Sequence, residues 1–291
     1  MLEVKNVSKK YNKKEVLSDV SINIKKGEIH GLIGENSAGK TTLIKCLVGI
    51  YKPDNGDILF EGESVYENSK AKEHISYVAD YNDYIKTHRI KTLIKMFENF
   101  YPNFSEERFD ELNEMFKLNK KSTVGDLSKG QKMRLAFMLS IAVNSDYIIL
   151  DEPTSGLDVI SKKQLFDVLI SEIENREVGI LISSHNLDGL ETICDQITML
   201  KEGKVSIQND IENVKNLYTV LQVVFEGGAP ENLYKYPNII DSNNVGSIYK
   251  LVLKNYDEQV VKDLKNMGAS LVEKIDISLE DLFIYANKEG K

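Results

Sequence analysis

The chain has 291 residues, 42% of them apolar and 28% charged, enough for one large domain and a smaller one, each with a buried core. Its 37 Lys and Arg against 45 Asp and Glu leave a formal charge of -8, which argues against a nucleic-acid backbone as the main partner, because that binding rests on clustered cations. No window reaches the roughly 18 consecutive apolar residues of a membrane span, and the charged start MLEVKNVSKKY lacks a signal peptide's apolar core; the expected location is cytoplasmic, with any membrane contact made through a partner.

In chain order, LEVKNVS, VLSDVSINI and GDILFEG alternate as antiparallel strands do, while EIHGLIG (28–34) reads as a buried strand and TTLIKCLVGI (41–50) as the helix after it. Residues from about 81 to 145 form an inserted helical subdomain. Within it, TLIKMFENFY and SEERFDELNEMFKL are helical and Ser105 is placed as an N-cap. DYIILDE (146–152) and VGILISS (178–184) are continuous apolar runs that suit parallel strands, joined by a helical crossover over 159–176. After a hairpin at 197–208, the order expected is strand, strand, helix, strand, helix. The predicted fold is α/β with an added antiparallel β layer over residues 1–215, followed by a small α+β extension over 216–291. Cys46 and Cys194 fall in segments read as helical and are expected to be free, buried thiols.

The stretch GENSAGKTT (34–42) places G-x-x-x-x-G-K-T between a strand and a helix, the setting in which this pattern binds phosphate. Gly34 is expected to let the chain turn out of the strand. The backbone N–H groups of residues 36–42, Asn36, Ser37, Ala38 and Thr42 among them, would then ring phosphate oxygens. Gly39 permits close approach, and the helix dipole adds positive charge. Lys40 is expected to neutralise β- and γ-phosphates and the Thr41 hydroxyl to ligate Mg²⁺. At the end of YIILDEP, Asp151 would hold the metal and Glu152 would polarise an attacking water. No Asn-Lys-x-Asp guanine-reading motif is present.

With LSKGQ (127–131), DEPTSGLD (151–158) and SSH (183–185) following in this order, residues 1 to about 215 resemble the ATP-binding subunits of ABC transporters. The resemblance implies a P-loop NTPase core and a head-to-tail dimer that sandwiches two ATP·Mg²⁺. In that dimer Ser128, Gly130 and Gln131 of one copy would face the γ-phosphate held by the other. It further implies that Asp158 links the two sites, that His185 contacts the γ-phosphate and orients water, and that Tyr11 stacks on adenine. A separate transmembrane permease would be the partner, with the subunit peripheral on the inner face of the cell membrane and a permease element held beside residues 80–90. Three positions depart from the family pattern. Lys129 replaces a glycine and is read as a solvated lysine rather than an extra cation for the partner's phosphates. Asp80 stands at a glutamine position and is carried over as a metal ligand. Ser37 replaces a frequent glycine, which is read as a mild change. FENFYPNFSEERFDELNEMFKL and the close SLEDLFIYANK resemble bacterial drug or antibiotic-peptide exporter subunits. Two rival readings remain beside the exporter subunit: an ATPase of this type without a permease, and an ATP-gated regulatory subunit with weak hydrolysis.

Overall fold

The computed structural model describes residues 1–80, 86–185, 187 and 189–288, without the side chains of 234, 235, 287 and 288. Two compact units emerge: Met1–Asn186 with Thr192–Gln208, and Leu187–Glu191 with Asn209–Lys291.

The first unit opens with β1 (Leu2–Tyr11), β2 (Lys14–Ile24), β3 (Ile29–Gly34), α1 (Lys40–Leu47), β4 (Asn55–Phe60), β5 (Glu63–Ser64), α2 (Ser69–Glu73) and β6 (Ile75–Val78). It continues through α3 (Ile90–Phe100), α4 (Glu106–Phe116), α5 (Lys129–Ala142), β7 (Tyr147–Asp151), α6 (Val159–Asn175), β8 (Gly179–Ser184), β9 (Gln196–Lys201) and β10 (Lys204–Asp210). One sheet has the order β2-β1-β4-β5 and the other β10-β9-β3-β8-β7-β6. In the latter, β9, β3, β8, β7 and β6 run parallel. Every residue of β3, β7 and β8 is buried, which is why their sequences are continuous apolar runs without alternation. Leu32, Ile149 and Leu181 point into one core with α1 (Leu43, Ile44, Leu47) and the inner face of the antiparallel sheet (Leu2, Val4, Leu17, Ile22, Ile58). Their strand neighbours Ile33, Ile148, Leu150, Ile180 and Ile182 are equally buried, and the period of two sends them to the opposite face.

The helices α3, α4 and α5 follow one another in the chain between β6 and β7. Ser105 caps α4, its hydroxyl accepting from the Arg108 N–H at 3.0 Å, and Phe116 meets Phe137 edge to face at 6.0 Å between centroids. Arg108 of α4 also donates to Glu172 of α6 at 2.7 Å, and Arg176 donates to the same carboxylate at 2.6 Å. Glu172 is only 5% exposed, so α4 is tied to α6 by a buried carboxylate with two cations, an arrangement costly to break from one side.

The second unit contains α7 (Ile211–Lys215), β11 (Tyr218–Val224), β12 (Ile239–Val245), β13 (Ile248–Lys254), α8 (Gln259–Asn266), β14 (Leu271–Ile275) and α9 (Leu279–Lys288), with sheet order β12-β13-β11-β14. Leu221, Val223, Tyr249, Leu251 and Leu253 pack against Val260 and Leu264 of α8. Two sequence expectations change. β12, IIDSNNV, has no alternating apolar pattern and is a strand because β13 supplies its hydrogen bonds. Cys194 lies between a short 3₁₀ turn (Leu190–Thr192) and β9, not in a helix; it and Cys46 are buried and free. Burial pushes the Cys46 thiol up to about 11 and Cys194 higher still, so neither is a thiolate at neutral pH.

Candidate functional site

A cleft of about 670 Å³ opens over the C-terminal ends of the parallel strands, where ligands of such sheets collect. Tyr11, Asn36, Ser37, Gly39, Lys40, Thr41, Thr42, Asp80, Glu152 and His185 all line it. Strand register explains this convergence. Asp151 lies opposite Ser183 in the β7–β8 pairing, and Ser183 and Ser184 lie opposite Leu32 and Ile33 of β3. The residues just beyond these pairs, Glu152, His185 and the loop after Gly34, therefore emerge side by side.

The loop's backbone departs from the sequence reading at two positions. Gly34 is needed for packing, not for a turn: an added Cβ would stand 2.6 Å from the Leu200 carbonyl oxygen of β9 and 3.0 Å from Ala38. Ser37 has φ +71°, a left-handed conformation that a residue with a Cβ adopts at a cost of about 1–2 kcal/mol, so serine for glycine here is not a mild change. Gly39 follows with φ +107°, where an added Cβ would meet Leu17 at 2.8 Å and the Val16 carbonyl oxygen at 2.9 Å. It is the N-cap residue of α1, and that helix aims its positive end at the cleft. The Gly203 N–H, from the β9–β10 turn, braces the loop at the Ala38 carbonyl (3.1 Å).

Lys40 is 6% exposed. Its Nζ donates to the Gly34 carbonyl at 2.7 Å and stands 3.5 Å from Glu152 Oε1. Glu152 Oε2 is 2.8 Å from His185 Nδ1 and accepts from the His185 backbone N–H at 3.3 Å. Glu152 itself has φ +51° immediately before Pro153, where the backbone is already restricted. Strain of this kind is kept where the surroundings enforce it. Here the Ser183 carbonyl and hydroxyl both accept from the Glu152 N–H, at 3.2 and 3.1 Å.

Ser183 also donates to Asp151 Oδ1 at 2.7 Å. Asp151 is fully buried, and its Oδ2 has no hydrogen-bond partner among the described residues. Burial raises its pKa above the usual carboxylate range, against the pull of the Ser183 and Thr41 hydroxyls, with Glu152 and Asp80 pushing the same way as burial. A buried carboxylate with one unpaired oxygen and a nearby hydroxyl suits a divalent cation. Mg²⁺ takes few protein oxygens and fills its octahedron with phosphate and water. Asp80 is exposed on the cleft wall, where a carboxylate can reach a ligand but burial does not fix it.

Tyr11 stands at the mouth, 41% exposed, edge-on to Tyr51 at 6.0 Å. Burial raises its phenol above the usual value, with the Thr42 hydroxyl opposing. Ser128, Gly130, Gln131 and Asp158 do not line this cleft. Ser128 and Gln131 form a capping box on α5, Ser128 Oγ accepting from the Gln131 N–H (3.2 Å) and Gln131 Oε1 from the Ser128 N–H (2.9 Å). Asp158 caps α6 through the Ser161 N–H (2.8 Å) and hydroxyl (3.0 Å); these bonds hold its pKa below the usual range, and Arg134 of α5 adds a Coulombic pull. Lys129 is not simply solvated, because its Nζ donates to Ser155 Oγ at 2.8 Å. The reading of a permease element beside residues 80–90 falls partly on 81–85, which lie outside the described residues.

Sequence reasoning missed Lys14, Glu15, Val16, Glu35, Ser155, Glu202 and Gly203 in the cleft wall, and Ser183 beneath it. Glu35, Ser155 and Ser183 fall inside GENSAGKTT, DEPTSGLD and SSH, and Gly203 is the glycine of a hairpin turn; the others carried no local signal.

The description ABC transporter matches residues 17–155. The ABC transporter ATP-binding protein YtrB of Bacillus subtilis is 30% identical over 285 residues, covering 98% of this chain and 97% of that one. The lipopolysaccharide export system ATP-binding protein LptB of Haemophilus influenzae is 30% identical over 234 residues, 75% of this chain and 96% of that one. A solved ATP binding subunit of an ABC transporter shares the fold with a TM-score of 0.69 at 26% identity, over 74% of this chain and 92% of that one. Similarity along nearly the whole length, over a phosphate loop after β3 and paired acids at the end of β7 that meet at one cleft, makes this chain a member of the ABC transporter ATP-binding protein family and an ATPase.

Proposed function

We propose that the chain is the subunit that binds and hydrolyses ATP to power a separate membrane permease, of the exporter type, through ATP-driven head-to-tail dimerisation. The observation that carries this reading is a division of the site. Lys40, Thr41, Glu152 and His185 share one cleft, whereas Ser128, Gly130 and Gln131 at the capped tip of α5 do not line it. A helix N-terminus is a ready anion site; a second copy rotated by a two-fold axis would bring that tip to the first copy's γ-phosphate. Val159 and Ile160, beside Asp158, are 84% and 73% exposed, apolar area that a second copy would cover. ATP binding and the paired acids are assigned to a domain of residues 1–215, with 216–291 as an appended α+β extension.

In this reading the amides of residues 36–42 and the α1 dipole hold the β- and γ-phosphates, Lys40 leaves the Gly34 carbonyl for phosphate oxygens, and Tyr11 stacks on adenine. Thr41, Asp151 and Asp80 would hold Mg²⁺, which when bound offsets phosphate charge. Glu152, freed from Lys40, accepts the proton of the attacking water while the γ-phosphorus–bridging oxygen bond breaks and its electron pair leaves with ADP. His185 holds the Glu152 carboxylate in place through Nδ1 and presents its other nitrogen to the γ-phosphate. Asp158 would meet the second copy and link the two sites. No helix among the described residues is long and apolar enough to cross a membrane. An apolar groove of about 340 Å³ between α3, α5 and β6, walled by Leu93, Phe97, Tyr101 and Tyr77, suits an amphipathic helix of the permease and would hold the subunit at the membrane's inner face.

Glu152→Gln is the test. It should lower turnover by a factor of about 10²–10⁴ and trap an ATP-bound dimer in size-exclusion chromatography. A variant that stays monomeric in saturating ATP, or turns over normally, refutes the reading. Transport direction is tested separately, by co-purifying a permease and assaying inside-out vesicles.

A further inference from the structure

Lysine is an unfavourable choice for the first residue of α5, because a cation there opposes the helix dipole by about 0.3–1 kcal/mol. Lys129 nevertheless stands there, and its position is specific. Its Nζ donates to Ser155 Oγ at 2.8 Å. Its stem lies along the loop 154–157, so that an added Cβ on Gly156 would come within 3.3 Å of Lys129 Cδ. The neighbouring Gly130 admits no side chain, since a Cβ would stand 2.7 Å from the Gly156 carbonyl oxygen. Gly156 has φ +76°, a backbone suited to glycine. The tip of α5 is therefore fitted to this loop by two glycines and clasped to it by one lysine.

Ser155 has a second face. It lines the cleft with Lys40, Thr41, Glu152 and His185, and its N–H donates to the Glu152 carbonyl at 3.0 Å. A continuous path of contacts thus runs from the strained Glu152 through Ser155 to Lys129 and the α5 tip.

We propose that Lys129 is a positioning residue that couples the two ATP sites through a single chain. The proposal rests on the head-to-tail reading above. Its ammonium has two alternative acceptors: the neutral Ser155 hydroxyl within the chain, and the anionic oxygens of the partner's triphosphate once these reach the α5 tip. The bond to Ser155 pairs the ammonium with a dipole only, whereas phosphate oxygens both accept hydrogen bonds and carry opposite charge, so arrival of the partner's ATP draws the lysine away from Ser155 and releases the loop that follows β7. The occupied site in one copy thereby alters the Glu152 loop of the other, which gives the coupling a defined two-state element.

The experiment measures ATPase rate against ATP concentration for the full chain and for Lys129→Met, Ser155→Ala, the double variant and Lys129→Arg. The wild type should be sigmoidal. Lys129→Met keeps the stem and removes the ammonium, and Ser155→Ala removes the acceptor. Each should bring the Hill coefficient towards 1 and shift half-saturation about five-fold or more. The double variant should shift no further than either single one, because the two act through one contact, and Lys129→Arg should restore sigmoidality. A hyperbolic wild-type curve, additive shifts in the double variant, or an unchanged Hill coefficient in Lys129→Met overturns the proposal. If Glu152→Gln forms the ATP dimer but the shifts are additive, the coupling role alone falls; if it forms no dimer, the dimer reading falls and takes the coupling with it.

Discussion

Acidification from pH 7 to pH 5 should cost the ATP-binding unit about 2 kcal/mol through one side chain, His30 on β3, the strand that leads into the phosphate loop. His30 is 1% exposed, and its Nε2 lies 2.7 Å from Thr198 Oγ1 on β9. Burial lowers its pKa from 6.5 to about 4, with Lys25 adding to the effect and a backbone contact at Asn23 opposing it. Below pH 6.5 the unfolded chain takes up a proton that the folded one refuses until about pH 4. The unfolded state therefore binds more protons in this window, and stability falls as pH falls. The gap is worth about 3 kcal/mol in full, at 1.36 kcal/mol per pKa unit, and about 2 kcal/mol of it is lost by pH 5. Urea-unfolding free energies at pH 7 and pH 5, for wild type and His30→Gln, isolate this contribution. Glutamine retains an amide for Thr198 and does not titrate, so the variant should lose about 2 kcal/mol less than wild type between the two pH values. Equal losses in the two proteins would refute the reasoning.

Ser37→Gly should relieve the left-handed strain in the loop. Part of the gain is offset by glycine's larger unfolded-state entropy, about 0.5–1 kcal/mol, leaving a melting temperature higher by about 2–4 °C. Ser37→Val should lower it, and a valine variant as stable as wild type contradicts the strain assignment. Asp151→Asn should raise the melting temperature of the nucleotide-free protein by about 2–4 °C, because it removes a desolvated charge with an unpaired oxygen. The same change should abolish the extra stabilisation that Mg²⁺ adds to ATP. The sign in pH follows: a carboxyl raised by burial binds its proton more tightly in the folded state, so its contribution is complete below the unfolded value and lost as pH rises through the folded one. A variant that melts lower without ligand, or that keeps the Mg²⁺ effect, counts against this account.

The parts of the molecule legible from sequence share a physical trait. β3, β7 and β8 are buried on both faces, so their runs are apolar throughout, and the crossover between β7 and β8 shows helical spacing. The N-cap at Ser105 is a contact between residues three apart. β12 was not legible, because IIDSNNV holds few apolar residues and draws its order from β13. The reason for Gly34 is hidden from the sequence for a similar cause: the atom that forbids a side chain there, the Leu200 carbonyl oxygen, lies on a strand far along the chain.

By itself the sequence determined the strand–loop–helix cradle around Lys40 and the paired acids at the end of β7, because each depends on contiguous residues whose backbone periodicity is written in their order. Only the tertiary structure decided that Ser183 serves both Asp151 and Glu152, that Ser37 is held left-handed, and that Lys129 reaches Ser155. These contacts join residues from separate strands and loops, and parallel register, not sequence proximity, sets which side chains meet.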